Sequence, residues 1–227
     1  MPVARSDTNR MVEFRISEGL VEYSESVRLM EKRVEEIRTG SADEAVWLLE
    51  HPPLYTAGTS AKPSDLLNPH LLPVFKASRG GQFTYHGPGQ RIAYTMLDLN
   101  RRGRNVREFV RSIERWAIAA LSEFGIEGRC RNDRVGVWVV RNDLPALQGG
   151  AHREDKVAAV GIRLRRWISF HGLSINVSPE LGHYEGIVPC GIREHGITSF
   201  KDMGVDATMS ELDQALIHHF DNDLAEC

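Results

Sequence analysis

Cys190 stands in Val188-Pro189-Cys190-Gly191-Ile192, between a proline that fixes the chain and a glycine that frees it, the pattern of a turn that presents a side chain. A thiol on such a turn is open to an acyl carbonyl, and neighbouring backbone N–H groups can hold the oxyanion formed on attack. A cysteine with the reference pKa of about 8.5 is only a few per cent thiolate at neutral pH, so nucleophilic use calls for a nearby cation. Lys156 is the candidate: it heads an apolar strand over residues 157–162, where a partly desolvated ammonium can face a pocket. Each unit of depression in the thiol pKa corresponds to about 1.4 kcal/mol, a size that one close charge supplies. Taken singly, both residues have plainer readings. A lone cysteine is more often a small buried hydrophobe, and Lys156 sits among Arg153, Glu154 and Asp155 as a surface lysine would.

A second chemical cluster is Arg79-Gly80-Gly81-Gln82-Phe83-Thr84-Tyr85-His86-Gly87-Pro88-Gly89-Gln90. Its glycines remove the Cβ atoms that would keep a ligand from main-chain N–H groups, while Arg79 and His86 can donate to a carbonyl or phosphate. The plain alternative is a β-hairpin with glycine turns. A dinucleotide fingerprint is excluded, because Ile92 stands where the third glycine belongs and no helix opens there; a phosphate loop is excluded by the missing Gly-Lys-Ser/Thr ending. Gly172-Leu173-Ser174 fails as a serine-hydrolase elbow, since Asn176 replaces the final glycine, so Ser174 reads as a strand residue near a pocket. His171 and His183 have no partner at metal-ligand spacing, and no metal site is expected.

The elements that must position these groups are legible in part. Leu20, Tyr23, Val27, Met30, Val34 and Ile37 recur at helical spacing up to Gly40, which predicts a long amphipathic helix. Residues 45–49 read as a buried strand cut off by Pro52 and Pro53, followed by an irregular loop through Gly58 and Pro63. Residues 82–99 suggest two strands joined tightly at Gly87-Pro88-Gly89. Asn105 with Glu108 resembles a capping box before a helix running toward Gly125, and Thr208 with Glu211 opens a last helix bearing Leu212, Leu216, Ile217, Phe220 and Leu224. Residues 135–140, 157–167 and 168–177 read as strands, the last two as neighbours, with a polar loop over 142–155. Strands outnumber helices without strict β-α-β alternation, so the expected fold is α+β, a mixed β-sheet flanked by helices.

A chain of 227 residues suffices for one full core and is short for two catalytic domains, so a single domain over 1–227 is expected. With 41% hydrophobic and 26% charged residues the composition is that of an ordinary globular protein, which excludes disordered and fibrous classes. No apolar run reaches the ~18 residues of a membrane span, and the polar start lacks a signal peptide's apolar segment, so no membrane partner and a cytoplasmic location are expected. Cys130, Cys190 and Cys227 are too few and too scattered for a disulfide framework and read as reduced thiols. A net charge of −3 argues against a nucleic-acid partner, although Arg101, Arg102, Arg104 and Arg107, and again Arg163, Arg165 and Arg166, form local basic clusters.

Taken together, the block Arg79 to Gln90, Lys156 with Ala158-Ala159-Val160-Gly161-Ile162-Arg163, Ser169-Phe170-His171-Gly172-Leu173, and Pro189-Cys190-Gly191-Ile192 resemble the lipoyl(octanoyl) transferase family. The blocks stand in the family's order over residues 79–192. The resemblance implies a biotin/lipoate protein ligase-like fold and transfer of octanoyl from acyl carrier protein to a lysine of lipoyl domains, those of 2-oxoacid dehydrogenase complexes and the glycine cleavage H protein. It implies that Cys190 carries the acyl group as a thioester, that Lys156 depresses its pKa, and that Arg79, Gly80, Gly81, Gln82, Phe83, Thr84, Tyr85, His86, Ala159, Val160, Gly161, Gly172, Leu173 and Ser174 line the acyl pocket. No cofactor is implied, because thioester exchange is nearly neutral and amide formation from a thioester is downhill without ATP.

Lys156 and His86 both remain as relays for the acceptor's proton, and the acidic end of the 142–155 loop, Glu154-Asp155, suits a cationic Lys156. Two other readings stand beside this one. An ATP-dependent lipoate or biotin ligase would need no cysteine, and the roughly 35 residues after Cys190 leave little room for an accessory domain. A non-catalytic module that binds a carrier protein through its arginines would form no covalent adduct.

Overall fold

The computed structural model describes residues 12–146, 152–189, 195–220 and 224. Strand β1 (Glu13–Leu20) leads into helix α1 (Tyr23–Thr39), which buries Tyr23, Met30, Val34 and Ile37 along one face. Gly40 closes the helix in the left-handed conformation, φ 74°, where a side chain would be strained. Leu20 belongs to β1, not to the helical stripe, and is half exposed. Next come β2 (Ala45–Glu50), β3 (Leu54–Ala57), β4 (Val74–Lys76), β5 (Phe83–His86), β6 (Gln90–Met96) and α2 (Val106–Ser122). The chain ends with β7 (Val137–Val140), β8 (Glu154–Arg165), β9 (Ile168–Asn176), β10 (Gly196–Ile197) and α3 (Met209–His218).

Two sheets form. The larger runs β1-β2-β6-β9-β8-β10, with β7 also paired to β8, and the smaller runs β4-β3-β5. β1 on β2, β10 on β8 and β4 on β3 are parallel, and the other pairs antiparallel, so both sheets are mixed as expected. Helices cover both faces of the larger sheet, so its inner strands are apolar on both sides. Trp47, Ile92, Tyr94 and Phe170 pack against α1, while Val46, Leu48, Ala93 and Leu173 pack against the core built on Phe109, Ile113, Trp116, Leu212 and Leu216. Burying each such side chain contributes about 1.5–3 kcal/mol, so the sheet is the rigid base of the molecule.

Several further expectations change. Gly87-Pro88-Gly89 is no hairpin: β5 pairs β3 in the smaller sheet and β6 pairs β2 and β9 in the larger, so the break carries the chain from one sheet to the other. The stretch after β2 holds the short strands β3 and β4, of four and three residues, too brief for any periodicity. Lys156 is the third residue of β8, which starts at Glu154, and β7 starts at Val137. The β8–β9 neighbours are a hairpin, its tip Arg166 and Trp167 both left-handed at φ 53° and 67°, as a two-residue turn requires. At α2 only half the capping box exists, Asn105 Oδ1 accepting from the Glu108 N–H at 3.2 Å, whereas the Thr208–Glu211 box of α3 is complete.

Candidate functional site

A cavity of about 450 Å³ opens between the two sheets. Its closed end is lined by the buried Tyr23, His86, Ile92, Tyr94 and His171, and its mouth by the exposed Gly81, Asp133 and Val135. Segments far apart in sequence supply the wall: Arg79, Gly80, Gly81, Gln82, Phe83, Thr84 and His86 from the β5 region, Lys156, Ala159, Val160 and Gly161 from β8, and Gly172, Leu173 and Ser174 from β9. Tyr85, one of the expected liners, is not on the wall. Successive side chains on a strand alternate, and its ring packs instead on Tyr55, His183 and Tyr184. Gly172 has a steric reason, since a Cβ there would lie 2.2 Å from Ala93 O.

Arg79 braces this wall. Its guanidinium donates to Thr56 O at 3.0 Å, Thr56 Oγ1 at 2.6 Å, Gln82 O at 3.1 Å and Gly80 O at 2.9 Å. Its donors tie the loop main chain at Gly80 and Gln82 to Thr56 of β3.

Lys156 is buried, 4% exposed, so the surface reading is corrected. It pairs in register with Trp138 of β7 and with Ile197 of β10, and its main chain is held on both sides. Its acidic neighbours face other partners. Glu154 takes Arg131 at 3.0 Å and also Arg134, and Asp155 takes Arg153 at 2.9 Å and the Gly196 N–H at 3.1 Å. Arginine thus answers both carboxylates that sequence adjacency had set beside Lys156.

Two imidazoles, His86 and His171, line the closed end, and a third, His51, packs behind them on His86 and Tyr94. His51 Nδ1 lies 2.6 Å from the Val21 carbonyl, which only accepts, so Nδ1 carries the proton and Nε2 accepts from Tyr94 OH at 2.7 Å. His86 Nδ1 meets Gln90 Oε1 at 2.7 Å, leaving Nε2 toward the Thr56 hydroxyl at 3.3 Å. Burial pushes His51 and His171 down to about 4, with Arg79 adding to the effect at His171, and holds His86 well below the ordinary range. All three are neutral at neutral pH. His51, Tyr23 and Tyr94 were not among the residues singled out in the sequence: Tyr23 reads there as one position of a helical stripe, and nothing local marks the other two.

Cys190 and Cys227 lie outside the described residues, and Cys130 is a half-buried free thiol. The chain on either side of residues 190–194 is described. Pro189 and Ile197 line a narrow gap with Lys156, and the Thr198 N–H donates to Lys156 O at 3.0 Å. Arg141 secures the later flank through Thr198 Oγ1 at 2.7 Å and Asp202 Oδ2 at 2.5 Å. No helix among the described residues is long and apolar enough to cross a membrane.

Comparison with known proteins follows the same lines. A protein described as an octanoyltransferase from Cereibacter sphaeroides is 63% identical over 209 residues, covering 92% of this chain and 96% of its own. One of the same description from Brucella melitensis is 60% identical over 211 residues, covering 93% of this chain and 80% of its own. Among solved structures, a bipartite lipoate protein ligase from Thermoplasma acidophilum has a similar fold, with a TM-score of 0.68 at 15% identity over 96% of this chain and 86% of that one. A lipoate-protein ligase A bound with ATP has a TM-score of 0.67 at 14% identity, over 94% and 86%. The family described as lipoyl protein ligase A/B catalytic domain matches residues 22–221, and the chain belongs to it.

Proposed function

We propose that this chain is an octanoyltransferase, a single catalytic domain over residues 1–227 that works in the cytoplasm without a cofactor. It takes octanoyl from acyl carrier protein as a thioester on Cys190 and passes it to a lysine of lipoyl domains, those of 2-oxoacid dehydrogenase complexes and the glycine cleavage H protein. The observation that carries the reading is the shared cavity, in which three of the four motif blocks meet around the buried Lys156, with Pro189 of the fourth beside it. Relatives at 60–63% identity over most of the chain bear the same description.

The chemistry needs only these residues. The Cys190 thiolate attacks the donor's thioester carbonyl, a carbon–sulfur bond forms as another breaks, and the carrier's sulfur leaves as a thiol with a proton from the Lys156 ammonium, which the acceptor amine later restores. The acceptor amine then attacks the new thioester, loses a proton, and returns Cys190 as thiolate. Burying octanoyl methylenes at about 0.8 kcal/mol each supplies several kcal/mol of binding and makes the closed end a measure of chain length. The geometry favours Lys156 over His86 as relay, because the unprotonated His86 nitrogen faces Thr56. Incubation with octanoyl carrier protein should add one octanoyl mass, on the peptide containing Cys190. An octanoyl-adenylate from ATP and free octanoate, with no protein adduct, would replace this reading with a ligase.

Lys156 has its own test. Lys156→Ala should raise the pH midpoint of Cys190 alkylation toward the reference of about 8.5, while Lys156→Arg should keep part of the depression yet transfer poorly, since arginine hardly gives up a proton. An unchanged midpoint in a folded Lys156→Ala protein removes Lys156 from the mechanism.

The two basic clusters meet at the β8–β9 tip. The Leu99 N–H donates to Trp167 O at 2.7 Å, Asn100 Nδ2 donates to Arg166 O at 3.3 Å, and Arg104 stacks on Trp167 at 5.8 Å, which sets Arg101 and Arg104 beside the β8–β9 tip. Arg102 is not part of it, being buried in a pair with Glu44. Reversing Arg163, Arg165 and Arg166 to Glu should raise KM for carrier-bound octanoate more than for a small octanoyl thioester, with the difference shrinking as salt shortens the screening length below ~10 Å. Equal effects on both donors would remove the surface from donor recognition.

A further inference from the structure

Lys156 is long and flexible, and a free lysine side chain gives up rotamer entropy when ordered. Something must hold it, and two residues of the β7 region do. Trp138 is its cross-strand partner, so the two side chains stand on the same face of the sheet, and Nζ lies 4.6 Å from the indole centroid. Both are almost fully buried, at 4% and 2% exposure, where a cation over an aromatic face is strongest. Gly136 supplies the room. A Cβ there would lie 3.1 Å from Lys156 Cε and 2.8 Å from Ala158 O, and its φ of 119° suits glycine alone. The Gly136 N–H is fixed by the buried Glu114 at 2.7 Å. The lysine stem therefore runs through a slot between a missing side chain and an aromatic face.

We propose that Trp138 is a positioning residue: its π face holds the Lys156 ammonium where it acts on the nucleophile, and the slot at Gly136 admits the stem. The proposal rests on the reading of Lys156 as the activator of Cys190. Trp138 also takes the Arg134 guanidinium at 4.6 Å, but that charge is already answered by Glu154 and by Asp133 at 2.7 Å. The indole thus meets two cations and, at 5.2 Å, the His195 ring, and of these Lys156 lines the gap beside Pro189. Without the ring, one of the contacts that fix the ammonium is lost, and its field at the thiol weakens.

The experiment is the pH midpoint of Cys190 alkylation, read by peptide mass spectrometry on the full chain, with circular dichroism as the fold control. Replacing tryptophan biosynthetically by analogues with one, two and three ring fluorines drains the π face with little change of shape. The midpoint should rise stepwise, by roughly half a pH unit in all, the size of a modest cation–π contribution. Trp138→Leu should raise it at least as far, and Trp138→Phe, which keeps a smaller face, should restore most of the depression. In Trp138→Phe the remaining tryptophans, Trp47, Trp116 and Trp167, should make the midpoint indifferent to fluorination. A midpoint unmoved by fluorination while Lys156→Ala shifts it overturns the role of Trp138 and leaves Lys156 as activator. A midpoint unmoved by both overturns the two together, and a fluorine response that survives in Trp138→Phe assigns the effect to another ring and overturns the proposal.

Discussion

Cys190→Ser is expected to lower octanoyl transfer by at least about 10³-fold and to abolish the octanoyl adduct, with the circular dichroism spectrum unchanged. Serine keeps nearly the shape of cysteine, but a hydroxyl is far less acidic than a thiol, so a neighbouring positive charge that yields thiolate does not yield alkoxide. Cys130 provides the internal control. Burial pushes its thiol up, the nearby Glu114 adds to the shift, and it should alkylate more slowly than Cys190 near neutral pH. Normal transfer by Cys190→Ser, or an acyl label on Cys130 or Cys227, would overturn the thioester route.

The second large effect is on stability in mild acid. His51 and His171 are lowered to about 4 by burial, from an ordinary value of 6.5 that they regain on unfolding. Above about 6.5 both states are neutral and the native state keeps its full stability. As pH falls from there toward 4 the unfolded chain takes up protons that the native imidazoles refuse, so stability drops with falling pH. Each site contributes a loss on the order of 3 kcal/mol by the lower end of that window, and His86 adds to it in the same direction. Urea unfolding at a series of pH values should show the midpoint falling steadily between about 6.5 and 4, and His51→Gln should flatten the curve. A flat profile across that window in the parent chain would show that the three imidazoles are not held neutral by the fold.

Much of this protein is written locally in its sequence. The stripe from Tyr23 to Ile37 with Gly40, the Asn105 cap of α2 and the Thr208–Glu211 box of α3 are short-range patterns, and each sits where the spacing placed it. The four motif blocks were legible for the same reason, since each is a run of adjacent residues recognisable by type and order. The order and types of those blocks also carried the family.

What the tertiary structure alone decided involves contacts between distant residues. That Gly87-Pro88-Gly89 joins two sheets depends on β3, β2 and β9 as partners, which no local pattern names. The floor of the cavity brings Tyr23 from a helix start, Tyr94 from a strand interior and His171 from β9 together, with His51 from beyond a strand end packed behind them. Lys156 is the sharpest case. Its flanking charges suggested solvent, yet arginines answer both carboxylates, Asp155 on the opposite face of the strand and Glu154 on the same one, and β7 and β10 close over it from both edges. Burial is a property of what packs against a residue, and for Lys156 the packing arrives from Gly136 and Trp138 on one side and Ile197 on the other, segments that only the folded sheet makes neighbours.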